Sequence, residues 1–209
     1  PFNRMLLGVL GVATVAGFAV VPLGSDLPIH WGLSGEPDNF APATVALLTP
    51  AGIALVVVGL LAILRPAGLR RDFEAGWHVI DASIGVVVAL ALAILGATIA
   101  IGLGYGVDVP RLISAILGLQ LMVLGNMLPK TRPNWIAGVR LPWTLRDPDN
   151  WRVTHRWTGR LMMLGGLVAL LAALLGPPTA VLLAIVIAAV LGPVLIGTGI
   201  SYTLARRSA

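Results

Sequence analysis

Long apolar runs separated by short polar stretches dominate the chain, at about 5–23, 43–64, 79–103, 111–129, 159–176 and 179–204. Each is close to the roughly 20 helical residues that cross a hydrocarbon core about 30 Å thick. The runs are apolar all round, neither one-faced nor alternating, which separates them from amphipathic helices and half-buried strands. Without water to satisfy backbone groups, such runs are expected to be helices. The pattern predicts an all-α integral membrane protein with six transmembrane helices. The first run exceeds the apolar core of a signal peptide and reads as a retained helix. Pro50 and Pro193 fall inside runs and are expected to kink them. Ser114/Gly118 and Gly102/Gly106 have the small-xxx-small spacing of closely packed helices.

Composition agrees. Of 209 residues, 57% are hydrophobic and only 11% charged, too few charges to cover a soluble surface. There is no cysteine, which excludes disulfides, thiol chemistry and Cys-ligated metal. The net charge of +5 is a matter of topology and implies no direct contact with nucleic acid. Thirteen of the fourteen Lys and Arg fall at the N-terminus, in the 65–78 and 130–160 stretches, or at the C-terminus. Only Arg111 lies on the other side, with Asp26, Glu36, Asp38 and Asp108. The positive-inside rule then places both termini and the 130–158 loop in the cytoplasm, and an acidic 24–42 loop outside.

That 130–158 loop between the fourth and fifth spans is unusual. Four of the six Trp fall within residues 134–157. Pro129, Pro133 and Gly138 disfavour regular helix and predict a tight, structured loop. Next, "RDPDNW" predicts a helix start, with Asp147 as N-cap, Pro148 at the first helical position and Asp149 in the first turn. Nothing breaks that helix before Pro177, so one helix over about 148–175 is expected. On it Arg152, Arg156 and Arg160 form one stripe, with Trp151, His155 and Thr158 or Met162 alongside. An interfacial anchor explains part of this pattern. Arg140, Arg152 and Arg156 are also candidates for holding an anionic headgroup. Arg140, between Gly138 and Pro142, is expected to pair with a carboxylate such as Asp147 or Asp149.

Residues 125–167, "GNMLPKTRPNWIAGVRLPWTLRDPDNWRVTHRWTGRLMMLGGL", resemble the signature of the SdpI family of bacterial membrane proteins. The resemblance rests on Gly125, Asn126, Lys130, Pro133, Asn134, Gly138, Arg140, Pro142, Trp143, Thr144, Leu145, Trp151, Thr154, His155 and Gly159. The stretch "LPIHWGLSGEPDNF", 27–40, is similar to an uncharacterised module that often precedes that signature. The resemblance implies a two-helix module over 1–78 followed by an SdpI-like four-helix module over 79–209. It implies residence in the bacterial cytoplasmic membrane and immunity against a secreted toxic peptide of the SdpC kind. It further implies signalling through a cytoplasmic repressor or other protein. It supplies no catalytic residue and no cofactor.

On this reading His30, Trp31, Glu36 and Asp38 are the candidates for sensing an extracellular peptide. Glu74, His78 and Asp81 share a helix face at the start of the third span, and with His155 are candidates for a metal or proton path. Gln120 and Asn126 are expected to make hydrogen bonds within the bundle. No nucleophile–base pair, phosphate-binding Gly loop or HExxH motif argues for an enzyme. The rival to immunity is a small transporter or lipid-handling protein that grips membrane lipids through the Arg/Trp loop.

Overall fold

A computed structural model describes residues 2–64 and 69–207; Arg65, counted in the charge asymmetry, lies outside the described residues. In chain order the elements are α1 (Phe2–Val20), β1 (Asp26–Trp31), β2 (Pro37–Pro42), α2 (Ala43–Leu64), α3 (Arg70–Gly102) and α4 (Val109–Met127). A single 3-10 turn, Leu128–Lys130, follows, then α5 (Pro142–Arg146), α6 (Pro148–Leu175) and α7 (Thr179–Arg207). Among the described residues, α1, α2, α3, α4, α6 and α7 are long and apolar enough to cross a membrane. Their outward faces carry side chains such as Val12, Leu175 and Leu195, at 72%, 85% and 68% exposure. A belt of that kind is stable against acyl chains and not against water.

Among the described residues three apolar clusters hold the helices together, the smallest around Ala172, Ala173 and Leu182. Leu10 of α1, Leu47 and Ala54 of α2, and Val88 and Leu95 of α3 belong to the first, which Leu27 of β1 closes. Leu121 of α4, Ala169 of α6, and Val186 and Ala189 of α7 form the second. The α4–α6 contact is set by glycine. A methyl group on Gly118 would lie 2.6 Å from the Gly166 carbonyl oxygen, and one on Gly125 2.5 Å from that of Gly159. Both pairs sit seven residues apart on antiparallel helices, so the two backbones touch at two levels. Gly102 packs against the Val21 side chain, whereas among the described residues a methyl group on Gly106 would meet nothing within 4 Å. Pro50 and Pro193 lie inside α2 and α7, which continue through them as helices.

Two departures from expectation matter for the site. The 24–42 stretch is an antiparallel hairpin, with irregular register between Pro28 and Trp31. Its turn, at Gly35 (φ 88°), rests on Thr179 at the start of α7. The third long helix begins at Arg70, not near residue 79, and is 33 residues long. At about 1.5 Å per residue it is longer than any hydrocarbon core, so its first turns project to carry a loop.

Candidate functional site

The 131–147 segment is a folded platform on the projecting ends of α3 and α6. Arg132 donates its backbone N–H to Ala75 O (3.0 Å), and Trp135 donates its own to Asp72 Oδ1 (2.9 Å). Asn134, 2% exposed, turns the chain. Its Oδ1 accepts from the backbone of Ile136 (2.9 Å) and Ala137 (2.8 Å), and its Nδ2 donates to Arg132 O (2.7 Å). Gly138 follows at φ 111°, a conformation that side-chain-bearing residues rarely adopt. A methyl group there would strike His155 Nε2. Thr144, fully buried at the start of α5, accepts from Leu141 N–H (2.9 Å) and donates to Val139 O (2.8 Å).

His155 is the pivot of this platform. Its Nε2 accepts from Val139 N–H (2.9 Å), and its Nδ1 faces the Trp151 carbonyl oxygen (2.7 Å). These partners assign the proton to Nδ1 and a neutral ring, with neither nitrogen left over. The ring is fully buried and stacks on Trp151 at 3.9 Å between centroids. Trp151 in turn donates Nε1–H to Thr131 O (3.2 Å). A metal or proton-relay role for His155 is therefore replaced by a structural one: a neutral imidazole bridging loop and helix.

A second network joins the platform to α7. Asn150 Nδ2 donates to Ser201 O (2.9 Å), and Thr154 Oγ1 donates to Asn150 Oδ1 (3.0 Å). Trp143 Nε1 donates to Ser201 Oγ (3.1 Å), and its ring meets Tyr202 edge-on at 5.8 Å. Thr158 Oγ1 is buried with no hydrogen-bond partner among the described residues and lies where a Cβ on Gly197 would be. Asn150 and Ser201 were not singled out from the sequence. The available signal was that each is polar, at the edge of an otherwise apolar helix.

Other expected pairings come out differently. Arg140 is exposed and donates Nη1–H to the Trp135 carbonyl oxygen, not to a carboxylate. Asp147 is occupied as the N-cap of α6, accepting from Asp149 N–H (2.8 Å) and Asn150 N–H (3.2 Å). Asp149 pairs with Arg152 at 3.0 Å. Arg156 is exposed, as is Pro142 at the start of α5. Gln120 does make an interhelix bond, donating Nε2–H to Val86 O of α3 (2.7 Å). Asn126 is exposed and has no hydrogen-bond partner among the described residues. Glu74 pairs with Arg70 at 3.0 Å, while Asp81 accepts from Asn3 Nδ2 at 2.9 Å. Among the described residues no three His or carboxylate groups come together as a metal site, so Glu74, His78 and Asp81 do not form one.

At the opposite end the hairpin is built around His30 and Asp38, paired across its strands with Nδ1 and Oδ1 at 2.5 Å. Both border a hollow of about 460 Å³ that runs down between α4 and α7, walled by Ile113, Leu117, Leu182, Leu183 and Val186. Trp31 lines this hollow and a second one, of about 540 Å³, where Glu36 faces Tyr105 and Asp108. Arg111, the one Lys or Arg of this end among the described residues, is committed to the helix terminus behind it. It donates to Ala173 O (3.0 Å) and Leu174 O (3.1 Å) of α6 and lies 3.8 Å from Asp108. A cation there suits the negative end of the helix dipole. Gly176, at φ 68°, leaves room for its guanidinium.

Residues 130–197 match the SdpI/YfhL protein family. Over 71 residues the chain is 31% identical to Immunity protein SdpI of Bacillus subtilis (strain 168). That stretch is 34% of this chain and 34% of the relative, so the chain spans about a third of the length of the curated relative it matches. No solved structure matches the chain. The matched segment contains the platform, all of α6 and most of α7, and leaves out the hairpin. With six helices of membrane-crossing length, the molecule is a multi-pass membrane protein. Residues 130–197, which build the platform and α6 and run on to Gly197 of α7, are thus similar to the SdpI/YfhL protein family.

Proposed function

We propose that this protein confers immunity on a bacterial cell by engaging a secreted, membrane-active peptide at its hairpin end and altering the platform at its other end. The reading puts the hairpin outside and the platform in the cytoplasm, as the thirteen-to-one distribution of Lys and Arg favours. The observation that carries it is the course of α7. Leu182 and Val186 wall the hollow under His30 and Asp38, while Ser201 of the same helix holds Trp143 of the platform and Asn150 at the start of α6. A segment inserted beside Leu182 would displace a helix whose far end is hydrogen-bonded into the family-matched region. The name of the Bacillus subtilis relative supports the immunity role.

The hollow suits a peptide with an apolar face and a basic group. Asp38 stands at its lip, Glu36 and Asp108 lie beside the hairpin, and Arg111, the only Arg near them among the described residues, is engaged by carbonyls of α6. The alternative of an anionic headgroup gripped by Arg140, Arg152 and Arg156 is less well supported. The first donates to a backbone carbonyl and the second to Asp149. Protection is tested in cells exposed to an SdpC-type peptide, with membrane potential followed over time. Wild type holds the potential, and Leu183→Trp, which fills the hollow, loses it at equal membrane level. Collapse of the potential in wild-type cells would reject the immunity reading.

A further inference from the structure

A separate groove opens between α1, α3 and α4 at the platform end, with a volume of about 580 Å³. Leu6, Val86, Ala89, Ile116, Leu119 and Val123 make it apolar along its length. Ile116 and Met127 mark its two ends on α4. Eleven helical residues span about 16 Å, close to half of a hydrocarbon core of about 30 Å. The groove thus has the length of one leaflet and is open sideways, since Leu119 and Val123 are 50% and 44% exposed.

Its ionisable groups are gathered at the headgroup end, while Gln120, midway along, is engaged by the Val86 carbonyl oxygen (2.7 Å). Asn3, His78 and Asp81 line the lip there. Asn3 Nδ2 donates to both Asp81 Oδ1 (2.9 Å) and Asp81 O (3.0 Å), which fixes the carboxylate at the mouth. Among the described residues no Lys, Arg or His nitrogen lies within 4 Å of that carboxylate. A carboxylate one turn inside an apolar helix run is costly unless a cation meets it. A phosphate or carboxylate headgroup would be repelled, whereas a primary ammonium is complementary. His78, one turn earlier on α3, adds a nitrogen able to hydrogen-bond a phosphodiester beside such an ammonium.

We infer that the α1–α3–α4 groove binds one amine-bearing phospholipid of the bilayer, its acyl chain along Val86, Ala89 and Leu119 and its ammonium on Asp81. The site is remote from the hollow under the hairpin and does not depend on the immunity reading. The test uses the full chain, delipidated in mild detergent and offered equimolar phosphatidylethanolamine and phosphatidylglycerol, with retained lipid counted by native mass spectrometry. The expected result is one retained phosphatidylethanolamine per chain, preferred roughly fivefold, the upper range for a single exposed charge pair. Asp81→Asn brings the preference close to one. Ala89→Phe fills the groove and removes the retained lipid while Asp81 stays in place. Equal retention of the two lipids by wild type overturns the proposal, as does full retention by Ala89→Phe. A lipid-free dimer occupying this face also overturns it. Should Asp81→Asn fail to fold, the wild-type headgroup comparison and Ala89→Phe decide the matter without it.

Discussion

At the scale of single residues, the family-like signature separates into two physical classes. Asn134, Thr144, Trp151, Thr154 and His155 are buried and hydrogen-bonded to backbone or, for Thr154, to the Asn150 side chain. They are the reason a 17-residue loop has one conformation. Arg140 and Asn126 are exposed and contribute little to it. Thr144→Val should therefore strand the Leu141 N–H and cost about 1–3 kcal/mol in unfolding from detergent, followed by loss of helical circular dichroism. Gly138→Ala should cost at least about 1–3 kcal/mol, since the new methyl meets His155 in a backbone conformation that disfavours it. Arg140→Ala should change stability by no more than about 0.5 kcal/mol. If protection is nonetheless lost, Arg140 is a contact residue, and if protection survives, it takes no part in protection.

At the scale of elements, the glycines of α4 and α6 are the most vulnerable joint. Gly125→Leu would push the Gly159 carbonyl away and separate the two helices. The expected cost is about 1–3 kcal/mol or more from overpacking, read as a lowered melting temperature of the purified protein. Much at this scale was legible in the sequence because the causes are local. The start of α6 at Pro148 follows from Asp147 and Pro148 themselves, and its end at Leu175 from Gly176 and Pro177. The six spans follow from apolar length alone. The hairpin was not legible: Pro28, Pro37 and Pro42 interrupt alternation, and two isolated strands need a helical support that the sequence does not display. The early start of α3 was hidden by its charges, which the Arg70–Glu74 pair and the docking of Trp135 on Asp72 accommodate.

At the scale of the molecule, the site was legible in its membership but not in its convergence. Residues 134–155 announced themselves by Trp and Arg, yet what fixes them to α7 is Ser201, 51 residues beyond Asn150. No periodicity reports such a contact. The same holds for the hollow under the hairpin, which Asp38 and Leu183 line together only through the fold. Orientation can be checked directly, because the chain has no cysteine of its own. Ser34→Cys, at the hairpin turn, should react with a membrane-impermeant maleimide in intact cells. Asp149→Cys, on the platform side, should react only after permeabilisation. The reverse pattern would invert the proposed topology.

The central claim is that a secreted peptide enters the hollow between the hairpin, α4 and α7. The most direct measurement is the rate at which Leu183→Cys is labelled in intact cells, with and without an SdpC-type peptide, beside Leu174→Cys as a control outside the hollow. The account predicts that the peptide slows labelling at residue 183 and leaves residue 174 unchanged. Equal rates at residue 183 with and without peptide, in cells that the protein still protects, would contradict it.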